Sequence, residues 1–212
     1  VPMLAQPFEK HGHKIVFPAL AQPKLDGVRC IAITESDGSI TLLTRKGKEF
    51  QLLDQIRNAI SGQRLPPNII LDGELFSDEL DFQRVVGLVR KKTYKNQQDI
   101  DDMAKVKLNI FDIIDTNKPD LSFLARWKAA QNIVSKDSSG NLSLVPIYKV
   151  SNIQDIEAML NKFLADGDEG VIVRNAASPY EIGKRSYHCQ KFKKFFDDEY
   201  KIVGALQGQG ND

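Results

Sequence analysis

Apolar residues recur along this chain with two different periods. Val28 to Thr34 and Ser39 to Thr44 are short apolar or β-branched runs on either side of Ser36-Asp37-Gly38, and Asp-Gly between two such runs predicts a hairpin. Asn68 to Phe76, Lys107 to Ile114, Leu142 to Val150, Gly170 to Arg174, His188 to Phe196 and Tyr200 to Leu206 also read as strands. Phe50 to Ile60, Asp81 to Val89 and Ile153 to Leu164 carry the three- and four-residue steps of helices. Leu121 to Val134 carries them most clearly, with Trp127 in the core and Asp120 as the expected cap. Lys95 to Asp102 is polar with few apolar anchors and predicts a mobile connection, and the polar stretch Asn175 to Arg185, with Pro179 and Gly183, connects two of the strands.

Strands outnumber helices and are interleaved with hairpins. The pattern therefore predicts an α+β domain of largely antiparallel sheets with flanking helices, not a doubly wound fold. At 212 residues and 42% hydrophobic, the chain can bury a sizeable core. Its apolar runs are short and broken by charges, so neither a membrane helix nor a signal segment is expected, and an intracellular location is the default. Cys30 and Cys189 are the only cysteines, which suits free thiols in a reducing compartment. His11 and His13 show no metal-ligand spacing and are expected on a solvated loop.

A net charge of +1 excludes binding to nucleic acid through overall basicity, so any phosphate footprint must be local. One cluster is Arg90-Lys91-Lys92 with Lys95, around Tyr94, which fits a solvated helix end as well as a duplex contact. The other is Lys191, Lys193 and Lys194 with Phe192 and Phe195. On a strand, Lys191 and Lys193 share one face and Phe192 and Lys194 the other; by the same alternation Asp72 shares a face with Glu74.

The segment Gln22-Pro23-Lys24-Leu25-Asp26-Gly27-Val28-Arg29 carries the sharpest chemical hint. An amine attacks only after losing its proton, so a nucleophilic lysine needs a neighbouring cation or metal to favour that loss. Arg29 supplies one. Alone, the same residues also fit a surface turn leading into a strand.

Further segments follow in an order that resembles the nucleotidyltransferase motifs of ATP-dependent DNA ligases. They are Thr44-Arg45-Lys46-Gly47-Lys48, Leu71-Asp72-Gly73-Glu74-Leu75, Asn109 to Ile114, Glu169-Gly170-Val171-Ile172-Val173-Arg174 and Lys191-Phe192-Lys193-Lys194. The resemblance covers nearly the whole chain. It implies two packed sheets with a nucleotide groove between them, an ATP-grasp-like adenylation domain over residues 1–198, and the start of an OB-fold domain over 199–212. The absence of an initiator methionine and the stop soon after a strand suggest a fragment of a longer protein.

The resemblance also assigns roles. Lys24 becomes the lysine that takes AMP from ATP, before AMP passes to a 5′-phosphate at a nick and a 3′-hydroxyl displaces it. Arg29 and Arg45 meet nucleotide or nick phosphates, Glu74 accepts from a ribose hydroxyl, and Phe111 stacks on adenine. Glu169 holds Mg²⁺, with Asp26 as a second candidate, while Lys191 and Lys193 meet the α-phosphate. Asp72 and Asp112 are supporting carboxylates. Nicked duplex DNA is the implied partner, a monomer the implied state, and an RNA ligase or mRNA-capping guanylyltransferase the alternative. A fragment that binds nucleotide with little turnover is a further reading. Arg174 and Cys189 depart from the pattern, standing where many relatives carry lysine and tryptophan.

Overall fold

In the computed structural model, residues 1–193 are described. Strand β1 (Leu4–Pro7), helix α1 (Phe8–His11) and a 3-10 turn (Gly12–Lys14) lead into β2 (Ala19–Lys24), the hairpin of β3 (Val28–Thr34) and β4 (Ile40–Thr44), and helix α2 (Asp54–Gly62). Next come β5 (Ile69–Phe76), α3 (Phe82–Val89), α4 (Gln97–Met103), β6 (Lys107–Asp115) and α5 (Phe123–Val134). The described elements end with β7 (Leu142–Leu144), β8 (Tyr148–Val150), α6 (Ile153–Ala165), β9 (Gly170–Arg174) and β10 (Arg185–Phe192).

These strands form two five-stranded sheets, ordered β1-β10-β9-β2-β8 and β4-β3-β5-β6-β7. The β1/β10 and β6/β7 pairs are parallel and the other ladders antiparallel, so the predicted α+β architecture of largely antiparallel sheets is present. Alternation gives each sheet a helix-covered face and a face toward its neighbour. In the first sheet, Ala19, Ala21, Val171 and Val173 pack with Ile156, Leu160 and Phe163 of α6. In the second, Cys30, Ala32, Leu71, Leu75 and Leu108 pack with Ile56 of α2 and Leu88 of α3. Met3, Ile114, Tyr180 and Cys189 form a smaller apolar seam.

Several sequence expectations change. Leu142 to Val150 is two strands, β7 and β8, in different sheets. Pro146 between them has no N–H to continue a ladder, so the chain crosses from one sheet to the other there. Ser122, not Asp120, caps α5 by accepting from the Ala125 N–H. Helix α2 starts only at Asp54, because Phe50 is still held to β4 through its N–H and the Leu42 carbonyl. His11 and His13 lie in the short helical turns, not an open loop. Trp127 is half-buried and donates to the Val145 carbonyl at 2.9 Å. The last strand starts at Arg185 and ends at Phe192. The expected strand at Tyr200 to Leu206, the 198/199 domain boundary and Lys194 all lie outside the described residues.

Lys95 to Asp102 is not a mobile connection but mostly the helix α4, capped by Asn96, whose side chain accepts from the Asp99 N–H. Its anchors are ionic, which is why a search for apolar periodicity passes over it. Asp99 is ion-paired with Lys91 and Arg84, and Asp102 with Arg84 at 2.7 Å. The hydrogen bond from Lys91, aided by the Lys95 N–H, pulls the Asp99 carboxyl down to about 2. A lowered carboxyl stabilises the fold above its unfolded value and ceases to do so as pH falls through its folded value. Asp99→Asn should therefore lower stability at pH 7, and urea unfolding should show the gap to wild type closing between pH 3.8 and pH 2.

Candidate active site

Three neighbouring strands bring together residues 24, 169 and 193. Lys24 ends β2 opposite Gly170 of β9, and the Glu169 N–H donates to the Lys24 carbonyl at 2.9 Å. On the other side of β9, Phe192 opposes Val171, which places Lys193 beside Gly170. A Cβ at Gly170 would lie 2.4 Å from the Phe192 carbonyl oxygen, so glycine is what lets the strands close at this point. The Glu169 carboxylate sits between two ammonium groups: Lys24 pairs with Oε2, and Lys193 donates to Oε1 at 2.7 Å. Burial would push the Glu169 carboxyl up, but the hydrogen bonds from Lys193 and Lys24 hold it below its ordinary value. Lys191 lines the adjoining cavity, where burial first, and then Lys193 and Lys24, lower the pKa of its amine.

The opposite wall belongs to the second sheet. Arg29 of β3 faces Glu74 of β5 across the ladder. Gly27 lets the chain pass against β5, since a Cβ there would come within 2.4 Å of the Leu75 carbonyl oxygen. The β5/β6 ladder slips between Asp72 and Gly73, which leaves Phe111 as the extra residue of a bulge. Ile110 and Ile113 both reach the core, though regular alternation would send them to opposite faces. The bulge thus presents Phe111 and Asp112 together on the other side. Phe111 lines the cavity and meets the Arg29 guanidinium at 4.6 Å from its ring centre.

Two buried carboxylates hold the arginines in place. Asp72 accepts from Arg29 Nε and Nη2, both at 2.5 Å, and from the Tyr180 hydroxyl at 2.6 Å. Arg29 also reaches the Met3 carbonyl at 3.1 Å, and the Met3 N–H donates to Tyr180. Asp112 accepts from Arg126 of α5 and from Arg174 of β9, at 2.7 and 2.8 Å. The arginine at 174, a departure from the resembled pattern, donates Nη1 to Asp112 while its planar guanidinium meets Phe123 and Phe111 at 4.6 and 5.6 Å.

The cavity between these walls measures about 240 Å³. Among the described residues Lys24, Arg29, Arg45, Arg174, Arg185 and Lys191 line it, against the single acid Glu74, which makes it a receptor for an anion. Burial pushes the Glu74 carboxyl up to about 7, although Arg29 and Lys24 oppose the shift. Arg45 is exposed at the rim. Asp26 is exposed and is not among the residues that line the cavity. Among the described residues no three His, Cys, Asp or Glu side chains gather as a metal site.

Sequence reasoning passed over Gln22, Arg126, Tyr180 and Arg185. Gln22 lines the cavity though only 1% exposed, and its Oε1 is buried without a partner. A glutamine two positions before a nucleophilic lysine, on the same strand face, was the available signal. Arg126 and Tyr180 gave none, since their partners are 14 and 108 residues away.

The ATP dependent DNA ligase domain is the family whose sequence model matches residues 2–193. The chain belongs to the ATP-dependent DNA ligase family. The DNA ligase of African swine fever virus (strain Badajoz 1971 Vero-adapted) is 30% identical over 196 residues, covering 90% of this chain and 45% of that one. That of Methanosphaera stadtmanae is 26% identical over 228 residues, covering 99% and 39%. This ligase-family chain therefore spans less than half the length of these relatives. Among solved structures, a Lig E DNA ligase superposes with a TM-score of 0.76 at 23% identity, covering 99% of this chain and 74% of that one. The ATP-dependent DNA ligase of bacteriophage T7, in complex with ATP, gives 0.74 at 19%, covering 91% and 68%. These likenesses show that the two-sheet architecture is the family's fold.

Glu74 should leave a mark on stability. A carboxyl raised in the folded state favours folding at low pH, an advantage lost as pH rises from its unfolded value through its folded one, here from 4.5 to about 7. The stability difference between pH 5 and pH 8, measured by urea unfolding, should therefore shrink in Glu74→Gln. Removing the Tyr180 hydroxyl leaves the buried Met3 N–H and Asp72 each one bond short, so Tyr180→Phe should cost about 1–3 kcal/mol in the same assay.

Proposed function

We propose that this chain is the adenylation domain of a nick-sealing DNA ligase, in which Lys24 takes AMP from ATP. The observation that carries this reading is one carboxylate, Glu169, held between Lys24 and Lys193 at the mouth of a cavity lined by six cations. In the reaction Nζ of Lys24 loses its proton and forms a bond to the α-phosphorus as the bond to the β-phosphate oxygen breaks and pyrophosphate leaves. An in-line displacement of this kind asks the protein for position and for cations where phosphate charge develops. Lys191 and Lys193 supply the cations on the strand face next to Lys24, and Arg29 and Arg45 supply them from the second sheet. For Lys24 to act, its pair with Glu169 must part, leaving Lys193 to hold the carboxylate.

Glu169 is also the residue to hold Mg²⁺. A single carboxylate suits that ion, which keeps most of its shell as phosphate oxygens and water, and bound Mg²⁺ neutralises phosphate charge. Asp26, exposed and two residues from Lys24, is the second candidate for the same ion.

The nucleotide's identity follows from the lining. Phe111 offers a ring face to a base. The buried Gln22 Oε1 lacks a donor, which the exocyclic amine of adenine supplies and the carbonyl oxygen of guanine does not. Glu74, poised to exchange a proton near pH 7, can accept from or donate to a ribose hydroxyl.

Incubation with ATP and Mg²⁺ followed by intact mass measurement tests the proposal. The expected product gains one AMP, loses it on treatment with pyrophosphate, and does not form from GTP. Lys24→Ala should abolish the gain, and Lys193→Ala should slow it by about 100-fold or more while leaving thermal stability near wild type. A chain labelled by GTP alone, or labelled equally after Lys24→Ala, rules the assignment out.

A further inference from the structure

The turn after β4 displays cations on a rigid frame. Its backbone is closed by the Gly47 N–H donating to the Thr44 carbonyl at 2.9 Å and by the Thr44 N–H donating to that of Lys48 at 2.7 Å. The Thr44 hydroxyl takes the Lys48 N–H at 3.0 Å, and Gly47 supplies the positive φ of 81° that the turn requires. Arg45, Lys46 and Lys48 project from this frame and are exposed. Beside it lies the end of α3, where Arg90 and Lys92 are exposed too. The stretches that follow these two segments are tied together beneath the surface, since the Tyr94 hydroxyl donates to the Leu52 carbonyl at 3.2 Å. Lys48, Arg90 and Lys92 line one groove between them.

Charge and continuity single out this face. Among the described residues Lys46, Lys48, Arg90 and Lys92 have no carboxylate partner, whereas Lys91, in the middle of the second segment, is paired with Asp99. Glu49, the acid in the groove, is paired with Arg57 at 3.7 Å. Unpaired cations concentrated on one face of a chain whose net charge is only +1 form a local anion-binding surface. Thr44 and Arg45 belong both to this turn and to the grooves beyond it, and Arg45 also lines the nucleotide cavity, so the basic face runs out from the proposed site of AMP transfer.

We propose that Lys48, Arg90 and Lys92 bind the phosphate backbone of duplex DNA on one side of the nick, so that the β4 turn and the end of α3 act as a rail leading to Lys24. The inference rests on the ligase reading above. The surface is built for backbone and not for bases: Phe50, which lines the groove, is only 2% exposed, and nearby Tyr94 is half-buried with its hydroxyl bonded to Leu52, so neither offers a platform on which an unpaired base can stack. Contacts of this type position a duplex without reading its sequence.

The test compares wild type with the triple variant Lys48→Ala/Arg90→Ala/Lys92→Ala of this chain. Binding of nicked and intact duplexes of one sequence is followed by fluorescence anisotropy over a series of salt concentrations. The variant should bind both duplexes about tenfold or more weaker at low salt, and the slope of log Kd against log salt should fall by about 2 to 3, since each lost phosphate contact removes about 0.9. AMP capture from ATP should be unchanged, because none of the three residues lines the nucleotide cavity. A control, Lys128→Ala/Lys136→Ala, removes two exposed lysines elsewhere and should leave the slope nearly as in wild type. An unchanged slope in the triple variant, an equal loss in the control, or lower thermal stability with unaltered binding overturns the proposal; the last would show that the cations merely offset the carbonyl end of α3. Failure of wild type to capture AMP would instead count against the ligase reading and leave the salt slopes interpretable.

Discussion

Among the described residues six cationic side chains converge on a cavity that contains one acid of its own, and their mutual repulsion is the constraint around which the molecule is built. Two ammonium groups are tolerated side by side because Glu169 lies between them, and two guanidinium groups because Asp72 and Asp112 grip them from beneath. These three carboxylates answer part of the charge. Arg45, Arg185 and Lys191 have no carboxylate partner among the described residues, and the imbalance is what a polyphosphate would relieve.

Two of these carboxylates, Asp72 and Asp112, weld the two sheets. Asp72 belongs to the second sheet, yet its partner Tyr180 lies on the connection between β9 and β10 of the first, and Tyr180 and Arg29 together clasp Met3 ahead of β1. Asp112 likewise joins β6 to β9 and α5 through Arg174 and Arg126. A buried ion pair is weak evidence for stability, because the cost of taking charges out of water offsets much of their attraction. Its value here is geometric: Arg29 and Arg174 each have a direction fixed by a buried carboxylate, which suits a site that works by placing charge.

Most of the fold was legible in the chain. The Asp37-Gly38 hairpin, the strands at Lys107 and Gly170 and the helices at Asp81 and Ile153 follow from period and turn chemistry, which act over a few residues. Misreadings arose where a distant partner overrides local pattern. Helix α4 is held by charges donated from Arg84 and Lys91, and the Leu142 to Val150 run is divided between sheets that local hydrophobicity cannot distinguish. The bulge at Phe111 was invisible for a related reason: two successive residues share a face only because the β5 register slips.

The sequence alone determined which side chains alternate onto one strand face, so that Lys191 goes with Lys193 and Asp72 with Glu74, and it carried enough ordered motifs to show the family resemblance. Only the tertiary structure decided that Lys24, Glu169 and Lys193 meet, and that Gln22 is buried with an unpartnered oxygen at the cavity. Strand alternation is a property of neighbouring residues, fixed by the pleat of the backbone. Meeting across 145 residues depends on which strands pair and in what register, and that is set by the packing of both sheets together.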